Sequence, residues 1–286
     1  MDFAKFISVM EYDGTRYHGF QWQAGVPTIQ RELELAIRKL CEQSRRAIAA
    51  SRTDAGVHAK GQVVSFWAAL GLDTTALVKA LNYYLPSDIS VKAAYRVSND
   101  LNVRGDALSR EYCYYILNTD TRSPFNQRFA LFMPKMLNID AMNEASQLIQ
   151  GEHDFTSFVT SLDGIKNARR NVYKAKFDKR GRFVIFNMVA NSFLPHQVRN
   201  TVGLLIKLGL GKIRIEDFRD ILEAKKTGLA GPTIPAHGLW LMKVNYPKPL
   251  SHYESSACYS EPCASCHSKE VERPKDLVQS RFSEEF

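Results

Sequence analysis

Residues 52–58 place an arginine, a carboxylate, a glycine and a histidine close together in the chain. The segment lies between two apolar, strand-like runs, so it is predicted to be a loop, and loops on a rigid scaffold often carry functional groups. Arg52 is two positions from Asp54, and a nearby cation favours the ionised, nucleophilic form of a carboxylate. The same pattern is typical of an Asx turn, whose aspartate accepts hydrogen bonds from local N–H groups. Local physics alone favours the turn over a catalytic carboxylate.

Two other side chains have two competing interpretations each, and a third has one. Tyr112 starts an aromatic-rich strand pattern and either projects into a cleft or is a core tyrosine with a satisfied hydroxyl. Arg199 lies on an apolar helix pattern and is either a functional cation or a surface arginine. His58 is interpreted as a residue that braces the loop, so its replacement should cost less activity than replacement of Asp54.

The charge of the chain predicts an anionic partner. The 286 residues carry a net charge of +8, but residues 251–286 hold four basic and seven acidic side chains, so the remaining body has a net charge of +11. The body contains several clusters of basic residues, and the chain has twelve tyrosines. Basic side chains bind phosphates and aromatic side chains stack on unpaired bases, so an RNA partner is favoured.

Cysteine usage indicates a reducing compartment. Of the five cysteines, Cys41 and Cys113 fall in a helix and a strand pattern and three lie near the C-terminus, which is not a disulfide framework. The first ten residues lack the pattern of a signal peptide, and no apolar run is long enough to span a membrane. A cytoplasmic protein without a membrane segment is therefore expected.

Hydrophobic periodicity predicts an α+β protein. The predicted helices cover residues 29–40, 73–85, 139–149, 196–208 and 215–224. The predicted strands cover residues 3–11, 62–67, 89–97, 111–118, 171–178, 182–190 and 239–246. This order suggests two α+β halves, residues 1–104 and 105–249, followed by a polar tail at 250–286 that we expect to be disordered.

Metal binding is a weaker alternative. Cys258, Cys263, Cys266 and His267 form an accepted zinc ligand set, but all four lie within ten residues, so an unstructured tail is favoured. Asp54 and His58 are four residues apart, but the turn-like sequence between them argues against a helical metal motif. No metal is therefore expected.

A set of short motifs occurs in a fixed order across residues 5–246. The motif residues are Tyr12-Asp13-Gly14, Tyr17, Gly19-Phe20-Gln21, Gln23, residues 52–59, Gly61-Gln62-Val63, Arg104, Ala107, Arg110, Tyr112, Gly151, His153-Asp154-Phe155, Asn191, Phe193, Val198-Arg199-Asn200 and Gly238-Leu239. Together they resemble the TruA-type family of tRNA pseudouridine synthases. Ser51 and Phe20 depart from the family pattern, where glycine and tryptophan are usual.

The resemblance implies specific roles for five residues. Asp54 matches the catalytic aspartate, and Arg199 matches the arginine that pairs with it. Tyr112 matches the tyrosine that stacks on the target uracil and is implicated in removing the C5 proton. Arg52 matches an arginine thought to help extrude the target base, and Leu239 matches a residue that packs against the uracil.

The resemblance also implies a fold and a substrate. The family fold has two similar α+β halves around a mixed, mainly antiparallel sheet with a central RNA-binding cleft, and the enzyme is usually a homodimer. Its targets are uridines 38–40 in the anticodon stem-loop of tRNA. The reaction is an isomerisation, so neither a cofactor nor a metal is required. A non-catalytic RNA-binding or RNA-folding protein and a metal-dependent nucleic-acid hydrolase are the alternatives.

Overall fold

Ten strands among the described residues form one mixed β-sheet. The computed structural model describes residues 3–41, 46–69, 71 and 73–254. The strands are β1 (Phe3–Tyr12), β2 (Ile48–Ala49), β3 (His58–Ala69), β4 (Ile89–Val97), β5 (Ser109–Asn118), β6 (Leu131–Met133), β7 (Gly151–Asp154), β8 (Arg169–Arg180), β9 (Phe183–Ala190) and β10 (Leu239–Asn245).

The strand order explains how the sheet is built. It runs β4-β1-β3-β10-β5-β9-β8-β7, with β2 beside β3 and β6 beside β5. The pairing is antiparallel except between β3 and β10 and between β5 and β6. The last strand, β10, therefore lies between the N-terminal group of strands and the C-terminal group.

Strand β10 fixes the distance between two parts of the candidate site. Leu241 of β10 is paired with Ala59 near the start of β3 and with Tyr112 of β5. Neighbouring strands lie roughly 4.8 Å apart, so the start of β3 and Tyr112 are separated by roughly 10 Å. The loop that precedes β3 is thereby held near Tyr112.

Five α-helices lie in the described part of the chain, and four of them pack directly on strands of this sheet. They are α1 (Ile29–Cys41), α2 (Thr74–Tyr84), α3 (Ile139–Gln147), α4 (Gln197–Gly209) and α5 (Ile215–Glu223). Helices α1 and α2 pack on the N-terminal strands, whereas α3 and α4 pack on the C-terminal strands and on each other. Helix α4 is buried on nearly all sides, and its buried residues include the polar Gln197, Asn200 and Thr201. Its first turn is therefore held firmly in the core.

The predicted α+β class is confirmed. All five predicted helices are present, and their ends lie within two residues of the predicted ones. The strand β2 lies within the apolar, strand-like run that precedes residue 52. The strands β6 and β7 are not predicted, because three or four residues are too few to show a period of two. Helix α4 begins two residues after Pro195, close to the predicted start at residue 196, since proline is poorly tolerated inside a helix.

The predicted division into halves and a tail stays a prediction. The described residues belong to one compact unit, and its sheet runs continuously through both proposed halves. At the start of the proposed tail, Leu250–Tyr253 form a short 3₁₀ helix and Glu254 pairs with Val97. The tail cysteines and the weighed zinc site lie outside the described residues. None of the described helices has the length and hydrophobicity needed to cross a membrane.

His58, the first residue of β3, is fully buried and joins three parts of the chain. The Gly14 N–H donates to His58 Nδ1 at 3.1 Å, and His58 Nε2 lies 2.9 Å from the carbonyl oxygen of Arg128. The ring also stacks on Trp240 at 4.4 Å between centroids. An Nδ1 that accepts leaves Nε2–H as the donor, so the imidazole is neutral. Burial lowers the pKa of His58, although the Asp13 carboxylate opposes this shift.

We predict that His58→Phe lowers the free energy of unfolding by about 1–3 kcal/mol at pH 8, because the buried Gly14 N–H loses its partner. The difference from the wild type should shrink on acidification. The pKa of His58 is lower in the folded protein than in the unfolded chain, so the unfolded chain takes up the proton first, below about pH 6.5. The contribution of neutral His58 to the free energy of unfolding is therefore lost as the pH falls through its folded pKa.

Urea denaturation at pH 8, 7, 6 and 5 measures this effect. The exposed His252, changed to glutamine, is the matched control and should keep the pH dependence of the wild type. Parallel pH curves for the wild type and His58→Phe would contradict the assignment.

Candidate active site

The loop between β2 and β3 carries Asp54, and its backbone is fixed by the N-terminal part of the chain. The Tyr12 hydroxyl lies 2.8 Å from the Thr53 hydroxyl, and the Phe20 N–H donates to the Thr53 carbonyl at 3.0 Å. Gly19 permits this close approach, because a Cβ at this position would lie 2.6 Å from the Thr53 oxygen, and its φ is +87°. Asp54 therefore follows a residue that is held from both its backbone and its side chain.

Arg110 of β5 holds the start of the same loop. Its buried guanidinium donates to the carbonyls of Ala50 at 3.1 Å, Arg104 at 2.6 Å, Ala107 at 3.0 Å and Asn191 at 2.8 Å. Burial lowers the pKa of Arg110, and the four carbonyl oxygens take the place of water around its charge. The side chain ties the loop to β5 and to the segment that leads into α4.

Arg199, in the first turn of α4, reaches the carboxylate. Its Nη1 donates to Asp54 Oδ2 at 3.1 Å, and its Nε donates to the carbonyl of Ile234 at 2.8 Å. The side chain of Arg199 is 15% exposed and that of Asp54 is 31% exposed. The second hydrogen bond restrains the guanidinium, so this ion pair has a defined geometry. Among the described residues, the ion pairs of the Asp54 side chain all involve Oδ2, so Oδ1 is left for a substrate.

Arg52, the neighbouring cation in the loop, is not the ion-pair partner of Asp54. The sequence pattern predicts that Arg52 supports the charge of Asp54, but Arg199 is the arginine that forms the ion pair. Arg52 is exposed, and the described residues offer it no carboxylate within 4 Å. Residues two apart in an irregular loop need not point the same way, whereas α4 projects Arg199 directly at the loop.

His196 is a residue of the site to which the sequence pattern assigns no role. Its Nε2 lies 3.7 Å from Asp54 Oδ2, and its buried Nδ1 has no hydrogen-bond partner among the described residues. The backbone has a φ of 61°, which is unusual for a residue other than glycine and marks local strain. The available signal was its position one helical turn before Arg199 and directly after Pro195.

Tyr112 forms the opposite wall. Its hydroxyl is 2.9 Å from the Ser51 hydroxyl, and its ring packs edge-on against Phe193 with centroids 5.1 Å apart. Burial strongly raises the pKa of Tyr112, although the hydrogen bond with Ser51 acts in the opposite direction. The side chain is therefore a neutral phenol near pH 7. Leu239, the first residue of β10, is buried nearby.

These side chains surround a cleft of about 410 Å³. The five residues selected from the sequence all line it: Arg52, Asp54, Tyr112, Arg199 and Leu239. Among the described residues that line this cleft, Asp54 is the only carboxylate, and it is accompanied by four arginines. A planar base can be held between apolar walls here while the carboxylate faces it. Their individual catalytic and binding roles stay predictions.

No group of three or more histidine, cysteine, aspartate or glutamate side chains is arranged to hold a metal ion among residues 3–41, 46–69, 71 and 73–254.

Comparison with known proteins gives a consistent result. A family model described as tRNA pseudouridine synthase matches residues 9–104 and 145–247. The chain is 40% identical over 243 residues to tRNA pseudouridine synthase A of Francisella tularensis subsp. tularensis, covering 85% of this chain and 94% of that protein. It is 39% identical over 243 residues to tRNA pseudouridine synthase A of Pseudothermotoga lettingae, covering 85% of this chain and 99% of that protein.

The first matched segment includes Asp54, and the second includes Arg199 and Leu239. With the motif order, the identity and the coverage in agreement, the chain belongs to the TruA-type family of tRNA pseudouridine synthases, which are isomerases.

Proposed function

We propose that this enzyme converts uridines 38–40 in the anticodon stem-loop of tRNA to pseudouridine, with Asp54 as the nucleophile. The observation that carries the proposal is the Asp54–Arg199 ion pair in a cleft whose walls include Tyr112 and Leu239. The net charge of +11 outside residues 251–286 supports binding to an RNA backbone. We further propose a cytoplasmic homodimer, and the buried free thiols of Cys41 and Cys113 are consistent with a reducing compartment.

The reaction must break the N1–C1′ glycosidic bond, turn the uracil and rejoin it to the ribose through C5. A carboxylate nucleophile can attack either the uracil ring or the ribose C1′. Both steps can begin from Oδ1 of Asp54, because its ion pairs among the described residues use Oδ2. Arg199 fixes the orientation of the carboxylate through Oδ2. Substrate and product are isomers, so the C5 proton that leaves is balanced by a proton gained at N1.

The target nucleotide must leave its stack before this chemistry can occur. Extrusion of a base costs a few kcal/mol, and an enzyme recovers the cost through contacts in its pocket. In the proposed complex, Tyr112 and Leu239 contact the faces of the uracil, while exposed Arg52 contacts the displaced strand. Single-stranded loop nucleotides are extruded at lower cost than paired ones, which favours a substrate at the end of a stem.

The buried phenol of Tyr112 limits its part in proton transfer. Because its pKa is raised by burial, the phenolate is not available near pH 7. Its hydroxyl instead forms a hydrogen bond with the Ser51 hydroxyl, and a proton can be relayed through this pair. The proposed role is thus to stack on the uracil and to guide the C5 proton, with no free phenolate base.

Position mapping tests the function. Metal-free enzyme is incubated with an unmodified tRNA transcript, and pseudouridine is located by carbodiimide treatment and primer extension. We expect stops at one or more of positions 38–40 and unchanged product in the presence of a chelator. Binding without product would support the RNA-binding alternative, and strand cleavage that a chelator abolishes would support a hydrolase. Pseudouridine at other positions of the transcript would overturn only the assignment to uridines 38–40.

Asp54→Asn should abolish product formation, with a loss of at least about 10³-fold in the single-turnover rate, because an amide cannot act as the nucleophile. The change preserves the size of the side chain and can still accept from Arg199. Binding of the transcript should stay within about threefold of the wild type, because phosphate contacts dominate affinity. Filter binding and single-turnover assays measure the two effects, and full activity would refute the nucleophile assignment.

Tyr112→Phe is expected to slow the reaction without changing the shape of its pH profile between pH 6 and 9. The physical reason is that burial keeps the Tyr112 hydroxyl protonated throughout this range. Ser51→Ala is the companion variant, since it removes only the partner of that hydroxyl. A wild-type rate that rises tenfold per pH unit between pH 7 and 9, and a flat profile for Tyr112→Phe, would show that a phenolate is the base.

A further inference from the structure

One side of the cleft carries positive charge that the described protein does not neutralise. Arg52 and Arg104 both line the cleft and both are exposed residues. Within the described ranges, neither has a carboxylate within 4 Å, and the one acidic group of the cleft, Asp54, is paired with Arg199. Unpaired arginines that face a common space are a suitable arrangement for binding an anion.

Arg104 is held at a defined place beside the start of the loop. Its Nε and Nη2 point at the carbonyl of Ala49, at 3.4 and 3.3 Å, and its own carbonyl accepts from the buried Arg110 at 2.6 Å. Asn102 caps the turn that follows, because its side chain accepts from the N–H groups of Arg104 and Gly105 at 3.1 Å each. Backbone and side chain are therefore both restrained before any ligand binds.

The three arginines of this region are close enough to affect one another. The pKa of Arg104 is lowered first by burial and then by the charges of Arg52 and Arg110. Arg110 already uses its donors on four carbonyls and is not available to a ligand. Among the described residues, Nη1 of Arg104 has no hydrogen-bond partner and the guanidinium of Arg52 has no carboxylate within 4 Å, so both can receive an incoming anion.

We propose that Arg104, together with Arg52, binds a phosphodiester group directly adjacent to the target uridine, and that this contact helps to hold the extruded nucleotide in the cleft. The inference rests on the proposed function and adds a substrate-binding residue to it. A phosphodiester is the anion that an RNA substrate necessarily brings into a cleft that binds one of its bases. The planar fork of arginine matches phosphate oxygens better than lysine does, and a guanidinium is more weakly hydrated than an ammonium group.

A thermodynamic cycle between protein and RNA tests this contact. Transcripts are assembled with one neutral methylphosphonate linkage, placed on the 5′ or the 3′ side of the target uridine. The single-turnover rate at subsaturating enzyme is measured for the wild type and for Arg104→Gln. We expect Arg104→Gln to lower this rate roughly tenfold to a hundredfold on the normal transcript. One of the two neutral linkages should cause a similar loss in the wild type and no further loss in Arg104→Gln.

Two results would overturn the proposal. In the first, the loss caused by Arg104→Gln multiplies with the loss caused by either neutral linkage. In the second, Arg104→Gln is as active as the wild type. Arg38→Gln is the matched control, because Arg38 is an exposed arginine on α1 and outside the cleft. Any loss it causes should multiply with that of either linkage. If Arg104→Gln fails to fold by circular dichroism, the same cycle is run with Arg104→Lys, which keeps the charge but lacks the fork. A wild type that makes no pseudouridine on the normal transcript would refute the proposed function and is distinguishable from these outcomes.

Discussion

The contact between Arg199 and Asp54 is the interaction on which the rest of the site depends. It joins a loop of the N-terminal strands to the first turn of α4, which is 145 residues away in the chain. The contact needs both sides to be rigid. The loop is fixed through Thr53 and through the carbonyl of Ala50, and α4 is fixed by burial on nearly all sides. The sheet supplies the remaining constraint, because β10 pairs with β3 on one side and with β5 on the other.

Charge in the cleft is distributed unequally, and this distribution explains how one site can bind RNA and also activate a carboxylate. Among the described lining residues, the single carboxylate faces four arginines. One arginine orients Asp54, one is used up on backbone carbonyls, and two are left for the substrate. The same protein would gain little from further acidic groups here, because each would repel the RNA backbone and compete with it for the arginines.

Much of the fold follows from local patterns, but the site does not. The five helices could be predicted because apolar residues recur at helical spacing. The position of β10 between two earlier strands could not, since strand order depends on contacts far apart in the chain. Asp54 looked like a turn residue on local grounds, and the spacing pointed to Arg52 as its partner. The distant Arg199 was identified through the resemblance to a family. The strained His196 and the contacts of Arg104 and Arg110 depend on tertiary packing, which no periodicity reveals.

The most direct test of this account is the release of tritium from a tRNA transcript labelled at C5 of its uridines, measured for the wild type, Arg199→Lys and Arg199→Gln. Tritium enters water only when C5 loses its proton, so the assay follows the chemistry itself. The account predicts release by the wild type, partial activity for Arg199→Lys, and a loss of roughly 10²–10³-fold in kcat for Arg199→Gln with little change in transcript binding. Release by Arg199→Gln at the wild-type rate would contradict the claim that this ion pair organises the active site.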